Sequence, residues 1–390
     1  MDLTAIRNQI DQLDDQLVTL LCQRMDCSVQ VAAYKAAHGL PVLNEERERQ
    51  VLQAVRDAAA RQDPQQAGYA GAAAAVFSTM MDMSRALQHR QLDAGPALRE
   101  AIAAARQDRC STGDVVCAGR PGAFADEAAG LLFPQSRLPE SRPRFVPSFT
   151  DVVEAVRAGS AAYGILPVEN SSTGSVHEVY DLLMENRLFI AGAVEVPVHH
   201  CLMARPGVRK ENLRAVYSHH QALSQCAEYI EAAGLEPRPY SNTAAAAQMI
   251  AQSDDPTCAA IASRKAAEIY GLDILDEDIQ SVSNNCTRFV AISSRMVLPA
   301  DADKISLIFT IPHVTGSLYR VLAQFSAEGL NLTKIESRPL RTGEFAYLFY
   351  LDFEGNLNHP GTVDLLCALS EEMPVFHFIG NYRELRQPDL

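Results

Sequence analysis

The sequence predicts a multidomain chain: an all-α segment that intertwines with a second copy, a two-lobed α/β segment and an α+β segment of ferredoxin-like order. Three observations predict it. Apolar residues at helical spacing run without interruption over residues 3–37. Short β-branched runs alternate with helical stretches over 113–298. One βαββαβ pattern occupies 303–387. The segments therefore read as 1–92, 113–298 and 303–387, with 93–112 as a linker because it holds Gly95-Pro96 and a polar, alanine-rich run.

In the first segment, Ile6, Ile10, Leu13, Leu17, Leu20 and Leu21 recur on one helical face, and Gly39 and Pro41 end the helix. A second helix starts near Asn44 and a third covers about 67–90. At 1.5 Å per residue the first helix is about 50 Å long, too long for a compact bundle of this size. Its stripe is expected to be buried against a second chain. In the middle segment "VVCAG" precedes "AFADEAAGLLF", "YGILPVEN" precedes "SVHEVYDLLMEN", "LRAVYSH" precedes "QALSQCAEYIEAAG", and "CAAIAS" precedes "RKAAEIYG". This alternation predicts a largely parallel sheet. In the last segment, "KISLIFTIP", "NLTKIESRPL", "EFAYLFYLDFEG" and "VFHFIGNY" are strands, and "GSLYRVLAQFSAEG" and "TVDLLCALSEEM" are helices.

Composition narrows the function. The net charge of −14 makes nucleic acid an unsuitable partner. It also implies that cations serving an anionic ligand must be locally concentrated. No stretch approaches about 20 apolar residues, so no membrane span is expected. The acidic, amphipathic start lacks a secretion pattern, and the nine cysteines are scattered singly without zinc spacing. Both point to a cytoplasmic protein without a metal site.

Arg7, Arg24, Lys35 and Arg47 are cations on an otherwise acidic segment. Arg24 and Lys35 are three helical turns apart, on one face. Arg7 lies about 25 Å below Arg24 on the same helix, so it joins a shared site only from a partner chain. Ser84 and Gln88, spaced i,i+4, face one way. Residues 3–90 resemble the all-helical chorismate mutase family at Arg7, Arg24, Lys35, Arg47, Glu48, Ser84 and Gln88. The resemblance implies that Arg7 of the other chain, Arg24 and Arg47 engage carboxylates or cover the site. It further implies that Lys35 and Gln88 donate to the ether oxygen and that Glu48 meets the ring hydroxyl. Asn44 stands where that family often has aspartate, and tuning rather than loss is expected.

The middle segment places small polar residues at strand ends: "GRPGAF", "VENSSTGSV", "YSHHQAL", "SNTAAAA" and "NNCTRFV". Ligands of open α/β folds sit at such ends, and helix N-termini there attract anions. "GRPGAF" is neither a Walker loop nor a dinucleotide fingerprint. Together these stretches resemble prephenate dehydratase, which implies a periplasmic-binding-protein-like domain. The resemblance points to Thr287 at the departing hydroxyl, by hydrogen bond or proton relay, with Arg288 binding a carboxylate or polarising the site. Glu169, Asn170, Ser171, Ser218, His219, Gln225, Thr243 and Phe289 are the further cleft candidates. Aromatisation drives the reaction, so no cofactor is expected. Ala123 and Ala125 replace hydroxyl residues of the usual loop.

"GSLYRVL" and "ESRPL" resemble the effector motifs of ACT domains. The resemblance implies phenylalanine binding through Gly316, Ser317, Leu318, Asn331, Glu336, Ser337 and Arg338, between two such domains of a homodimer, with feedback inhibition. Three alternatives stand beside the bifunctional enzyme that rearranges chorismate and dehydrates prephenate. These are a degenerate mutase kept for dimerisation, a binding protein on a two-lobed scaffold, and a dehydratase acting on arogenate.

Overall fold

A computed structural model describes residues 2–62, 68–107, 113–134, 143–282, 284–339 and 347–386. The chain divides into two compact units, Met1–Ala103 with Leu307–His377, and Ala104–Ser306 with Phe378–Leu390.

The first unit begins with helix α1 (Leu3–His38). Asp2 caps it by accepting from the Thr4 amide at 3.2 Å, and Gly39 ends it with φ 62°. Only Ser28 and Ala32 are buried along its 36 residues, while Leu13, Leu17 and Leu20 are each more than half exposed. The apolar stripe thus has no cover among the described residues. Helix α2 (Glu45–Gln62) starts on Asn44, whose Oδ1 accepts from the Arg47 amide at 2.9 Å. The amide standing in for aspartate is therefore a helix cap. Helix α3 (Tyr69–Gln91) packs on both.

The segment read as a linker is not loose chain where it is described. Pro96–Gln107 forms helix α4, with Ile102 and Ala105 buried. Gly95 enters it with φ 67°, and a Cβ there would meet Cys367 Cβ at 2.7 Å. Residues 108–112 of that segment lie outside the described residues, as do Leu340 of "ESRPL", 344–346 of the third predicted strand and residue 387.

The second unit holds strands β1 (Val115–Ala118), β2 (Arg144–Val146), β3 (Tyr163–Asn170), β4 (Gly174–Ser175) and β5 (Phe189–Pro197), with helices α5 (Phe124–Leu132), α6 (Phe149–Arg157) and α7 (His177–Asn186). There follow β6 (Cys201–Ala204), β7 (Ala215–Ser218), β8 (Glu236–Pro239), β9 (Cys258–Ala262) and β10 (Asp273–Asp276), with α8 (His220–Gln225), α9 (Ala227–Ala232), α10 (Thr243–Gln252) and α11 (Arg264–Tyr270). Strand β11 (Cys286–Ser293) then returns to the first group. One sheet runs β16-β5-β11-β3-β1-β2 with β4 beside β3, and the other runs β10-β6-β9-β7-β8, where β16 is the final strand Glu384–Leu385. Two lobes follow, each with its own buried core around Ile165 and Ala291 or around Ile261 and Val216.

The expectation of a largely parallel sheet needs correction. β1 with β2 and β3, and β7 with β8 and β9, are parallel, but β11 runs antiparallel to β3 and β5, and β6 runs antiparallel to β9 and β10. A strand that leaves one lobe and re-enters the other meets its neighbours from the opposite end, which the βα alternation alone does not reveal.

The last segment has the order β12 (Lys304–Thr310), α12 (Ser317–Ala327), β13 (Leu332–Pro339), β14 (Tyr347–Glu354), α13 (Pro360–Glu372) and β15 (Phe376–Tyr382). Its sheet order β13-β14-β12-β15 is that of a ferredoxin-like sandwich, with Phe309, Phe325 and Phe353 in its core. The boundary between units falls within β12, after Ser306, and within β15, after His377.

In the second unit β16 pairs in parallel with β5, Glu384 opposite Ala193. Its carboxylate is buried, with Oε1 2.5 Å from Arg288 Nε and Oε2 2.5 Å from Lys304 Nζ. Burial raises the Glu384 pKa, but Arg288, Lys304 and Arg386 outweigh it and hold the group below the usual carboxylate range. A depressed carboxyl stabilises the fold above its unfolded pKa, and this contribution disappears as pH falls through the folded value. Glu384→Ala removes the carboxylate that both cations share and should cost about 3–5 kcal/mol of unfolding free energy. Urea denaturation at neutral pH measures this, and a wild-type midpoint would show that the cluster does not hold the sheet edge.

Candidate functional site

The carboxyl ends of β1, β3 and β7 open onto a cleft of about 350 Å³. Its lining includes Gly119, Phe124, Phe149, Asn170, His200, His219, Gln221, Gln225, Thr243 and Thr287. The site therefore draws on both lobes of the second unit. Neither lysine nor arginine, and neither aspartate nor glutamate, occurs among the described lining residues. The expected local concentration of cations is not found. Instead, the first residues of α5, α6 and α10 (Phe124, Phe149 and Thr243) all line the cleft. Three helix N-termini thus border the cleft, an arrangement that favours an anion through backbone amides, although Asp126 and Glu127 on α5 and Asp151 on α6 lie in the first turns of two of them.

Thr287 and Asn170 meet at the cleft wall. The Asn170 Nδ2 donates to Thr287 Oγ1 at 2.9 Å, to Asn285 Oδ1 at 2.9 Å and to the Cys286 carbonyl at 3.2 Å. Its Oδ1 accepts from the amides of Ser172 and Thr173, each at 3.1 Å. Thr287 Oγ1 accepts from Asn170, so its own proton remains available to a ligand.

Five candidates are not brought to the cleft. Successive strand residues point to opposite faces, so with Thr287 facing inward Arg288 faces away. There Arg288 meets Glu384 and donates Nη2 to Tyr382 Oη at 2.7 Å. Phe289 is buried in the hydrophobic core beneath α5. Glu169 pairs in register with Arg288, their charged groups 4.0 Å apart. Ser218 is fully buried and donates to the Ile261 carbonyl at 2.6 Å. Ser171 Oγ accepts from the Cys286 amide at 2.9 Å, which ties β3 to the start of β11. Arg288, Phe289, Glu169 and Ser171 belong to the strands around Thr287, whereas Ser218 is in the core of the other lobe. His219, Gln225 and Thr243 do line the cleft. Burial, followed by the neighbouring His220, lowers the His219 pKa.

The loop before α5 is held by backbone. Gly122 has φ 83°, and a Cβ there would lie 2.7 Å from Ala266 Cα. Its N–H donates to Asp126 Oδ2 at 2.8 Å, while its carbonyl accepts from Ser263 Oγ at 2.7 Å. Ala123 lines the cleft at the N-cap of α5 without a side-chain cap, and Ala125 is buried, so neither hydroxyl position contributes a side-chain hydrogen bond. Sequence reasoning missed His200. It follows His199 just before β6, and the doubled histidine ahead of an apolar strand was the available signal. Burial, ahead of the opposing Gln225 hydrogen bond, lowers the His200 pKa and keeps the ring neutral.

In the first unit, Arg24 Nη1 donates to Ser84 Oγ at 2.6 Å and Lys35 Nζ to Gln88 Oε1 at 3.1 Å. Both pairs join α1 to α3 as the common-face argument requires. Lys35 also donates to the Val42 carbonyl. Burial lowers the Lys35 pKa, Glu48 opposes this, and Arg85 adds to it. Glu48 forms an ion pair with Arg85, a buried residue the sequence reading overlooked. Arg85 also pairs with Asp82 and, through Nε at 2.9 Å, with Glu372 of α13. Arg7 and Arg47 are exposed, and of the two Arg47 meets another candidate, its backbone amide donating to Asn44 Oδ1.

The candidate effector residues lie on two elements. Gly316, with φ 85°, is the N-cap of α12, which Ser317 and Leu318 begin. Asn331 precedes β13 and donates to Glu354 Oε2 at 3.0 Å. Glu336, Ser337 and Arg338 lie on β13, which is the edge of its sheet, and Glu336 sits 3.5 Å from Lys334.

The family model for prephenate dehydratase matches residues 115–297, and the model for chorismate mutase type II matches residues 6–89. Arogenate dehydratase 1 of Petunia hybrida is 40% identical over 290 residues, covering 70% of this chain and 67% of that protein. The chloroplastic arogenate dehydratase/prephenate dehydratase 6 of Arabidopsis thaliana is 39% identical over 284 residues, covering 68% and 67%. Prephenate dehydratase from Arthrobacter aurescens, solved in complex with L-Phe, has a TM-score of 0.62 at 30% identity, covering 71% of this chain and 91% of that one. GqqA, described as a novel type of quorum quenching acylase, has a TM-score of 0.62 at 32% identity, covering 70% and 98%.

Proposed function

The chain belongs to the prephenate dehydratase family and carries a chorismate mutase type II domain ahead of its dehydratase domain, and we propose that it is a bifunctional enzyme of phenylalanine biosynthesis that takes chorismate to prephenate and prephenate to phenylpyruvate. The first step breaks the ether C–O bond and forms a C–C bond in one pericyclic event, with no proton transfer. Arg24, Lys35 and Gln88 then have only to hold the compact conformer and stabilise charge on the ether oxygen. In the second step the C–CO₂ bond breaks, its electrons complete the aromatic ring, and the ring hydroxyl leaves as water after gaining a proton.

One observation carries the dehydratase reading. Thr287 Oγ1 accepts from Asn170 Nδ2, which leaves the hydroxyl a donor into a cleft ringed by helix N-termini. This suits a departing hydroxyl on a small dianion. The absence of a carboxylate among the described lining residues favours prephenate over arogenate, whose ammonium would need an acidic partner. The exposed stripe of α1 and the exposure of Arg7 support an intertwined homodimer with a shared mutase site. The ferredoxin-like domain, with Gly316–Leu318 at one turn and Asn331–Arg338 at its edge strand, supports feedback by phenylalanine.

Incubation with chorismate should show its loss, transient prephenate and final phenylpyruvate, the last slowed by added phenylalanine. Thr287→Ala should accumulate prephenate, with dehydration slowed by about a hundredfold or more. Near-normal phenylpyruvate formation by that variant would refute the role given to Thr287. Arg7→Ala and Lys35→Ala proteins, each mutase-deficient, should regain part of the activity when unfolded and refolded together, because a mixed dimer holds one intact site. No recovery would argue for a site within a single chain. Rearrangement also needs charged Lys35, so its rate should fall on the alkaline side, as pH rises through a pKa that burial holds below the usual lysine value of 10.5. An alkaline limb at or above that value would contradict the role of Lys35.

A further inference from the structure

The direction of every hydrogen bond behind Thr287 follows from two backbone amides. The N–H groups of Ser172 and Thr173 can only donate, and both donate to Asn170 Oδ1. That fixes the carboxamide and turns its Nδ2 to Thr287. Ser172 Oγ lies 2.6 Å from the same Oδ1, which can only accept, so the Ser172 hydroxyl spends its proton there. Ser172 Oγ must then accept from Gln225 Nε2 at 3.2 Å. The other end of the Gln225 carboxamide, Oε1, faces His200 Nε2 at 2.9 Å, so Nε2 must carry the proton.

We infer that His200 is a positioning residue of the dehydratase, heading a one-way chain of hydrogen bonds from its Nε2–H through Gln225, Ser172 and Asn170 to Thr287 that holds the Thr287 hydroxyl as a donor into the cleft. This rests on the dehydratase reading of the cleft. Each member accepts at one end and donates at the other, so the bonds polarise one another and the last hydroxyl becomes a stronger donor. His200 is suited to the head of the chain. It is 1% exposed, its backbone N–H is held by Gln280 Oε1 at 2.8 Å, and the edge of Phe124 packs against it with ring centroids 5.8 Å apart. Its Nδ1 is buried and meets no hydrogen-bond partner among the described residues, so a proton there would have no acceptor, which favours a neutral ring protonated at Nε2. A ring protonated at Nδ1 would set two lone pairs, Nε2 and Gln225 Oε1, against each other.

The test uses the full-length protein and four variants, with prephenate as substrate. His200→Leu removes the donor, and His200→Gln restores an N–H at the Nε2 position. His200→Leu should lower kcat for dehydration by about a hundredfold with KM little changed. His200→Gln should recover most of that loss, and mutase turnover should be untouched in both. Ser172→Ala breaks the same chain, so the His200→Leu/Ser172→Ala double variant should be about as slow as the slower single variant. Equal losses in the Leu and Gln variants, additive losses in the double variant, or a fully active His200→Leu would each overturn the inference. The ring nitrogen shifts of His200 in the wild-type protein decide it independently of turnover. A neutral ring protonated at Nε2 is expected, and a charged or Nδ1-protonated ring would sink it. If wild-type protein fails to convert prephenate, the dehydratase reading falls, and the ring shifts still report whether the chain exists.

Discussion

Strand β11 leaves the second lobe and has to enter the first between β5 and β3, both of which run against it. The Asn170 carboxamide at the end of β3 fixes where it enters. Nearly every polar group of that amide is engaged, on one side with the turn at Ser172 and Thr173 and on the other with Asn285, Cys286 and Thr287. A buried amide in this position is costly to leave unpaired, so the register of β11 and the aim of Thr287 are set by one constraint. The face of Arg288 follows from the same register, as does its use in a buried cluster with Glu384 rather than in the cleft.

The two sites solve the problem of an anionic ligand differently. In the helical domain the candidates are full charges, Arg24 and Lys35, held in place by Ser84 and Gln88 of another helix. In the cleft the described lining is neutral, and the groups suited to an anion are the backbone amides of helix ends. The difference follows from burial. A helix surface can keep a guanidinium partly hydrated, whereas a cleft walled by two lobes would have to desolvate it.

Much of this was legible in the sequence where a local pattern decides the outcome. The spacing of Ile6, Ile10, Leu13 and Leu17 marks α1, and its stripe is exposed because no described element packs on it. The βαββαβ order of the last segment is equally plain in its alternating runs. What was not legible depends on contacts between distant residues. Pro96–Gln107 looked like linker because its few apolar residues face a surface the sequence does not announce. Arg288 looked like a ligand because adjacency to Thr287 says nothing about which face of a strand a residue takes. Glu384 and His200 were passed over for the same reason, since their partners lie 96 and 25 positions away. Arg85 was hidden because a lone arginine on a helix reads as solvated until Glu48, Asp82 and Glu372 are seen around it.

Gly122 shows how closely the lobes are set. Its α-carbon faces Ala266 of the opposite lobe with no room for a methyl group; Ser263 and Tyr270 of that lobe donate to the same loop, and Lys265 pairs with Asp126 of α5 just after it. Such a seam works as a mechanical stop. At that point the walls can come no nearer without backbone meeting backbone, so the seam sets a floor for the aperture, as a doorstop does for a door.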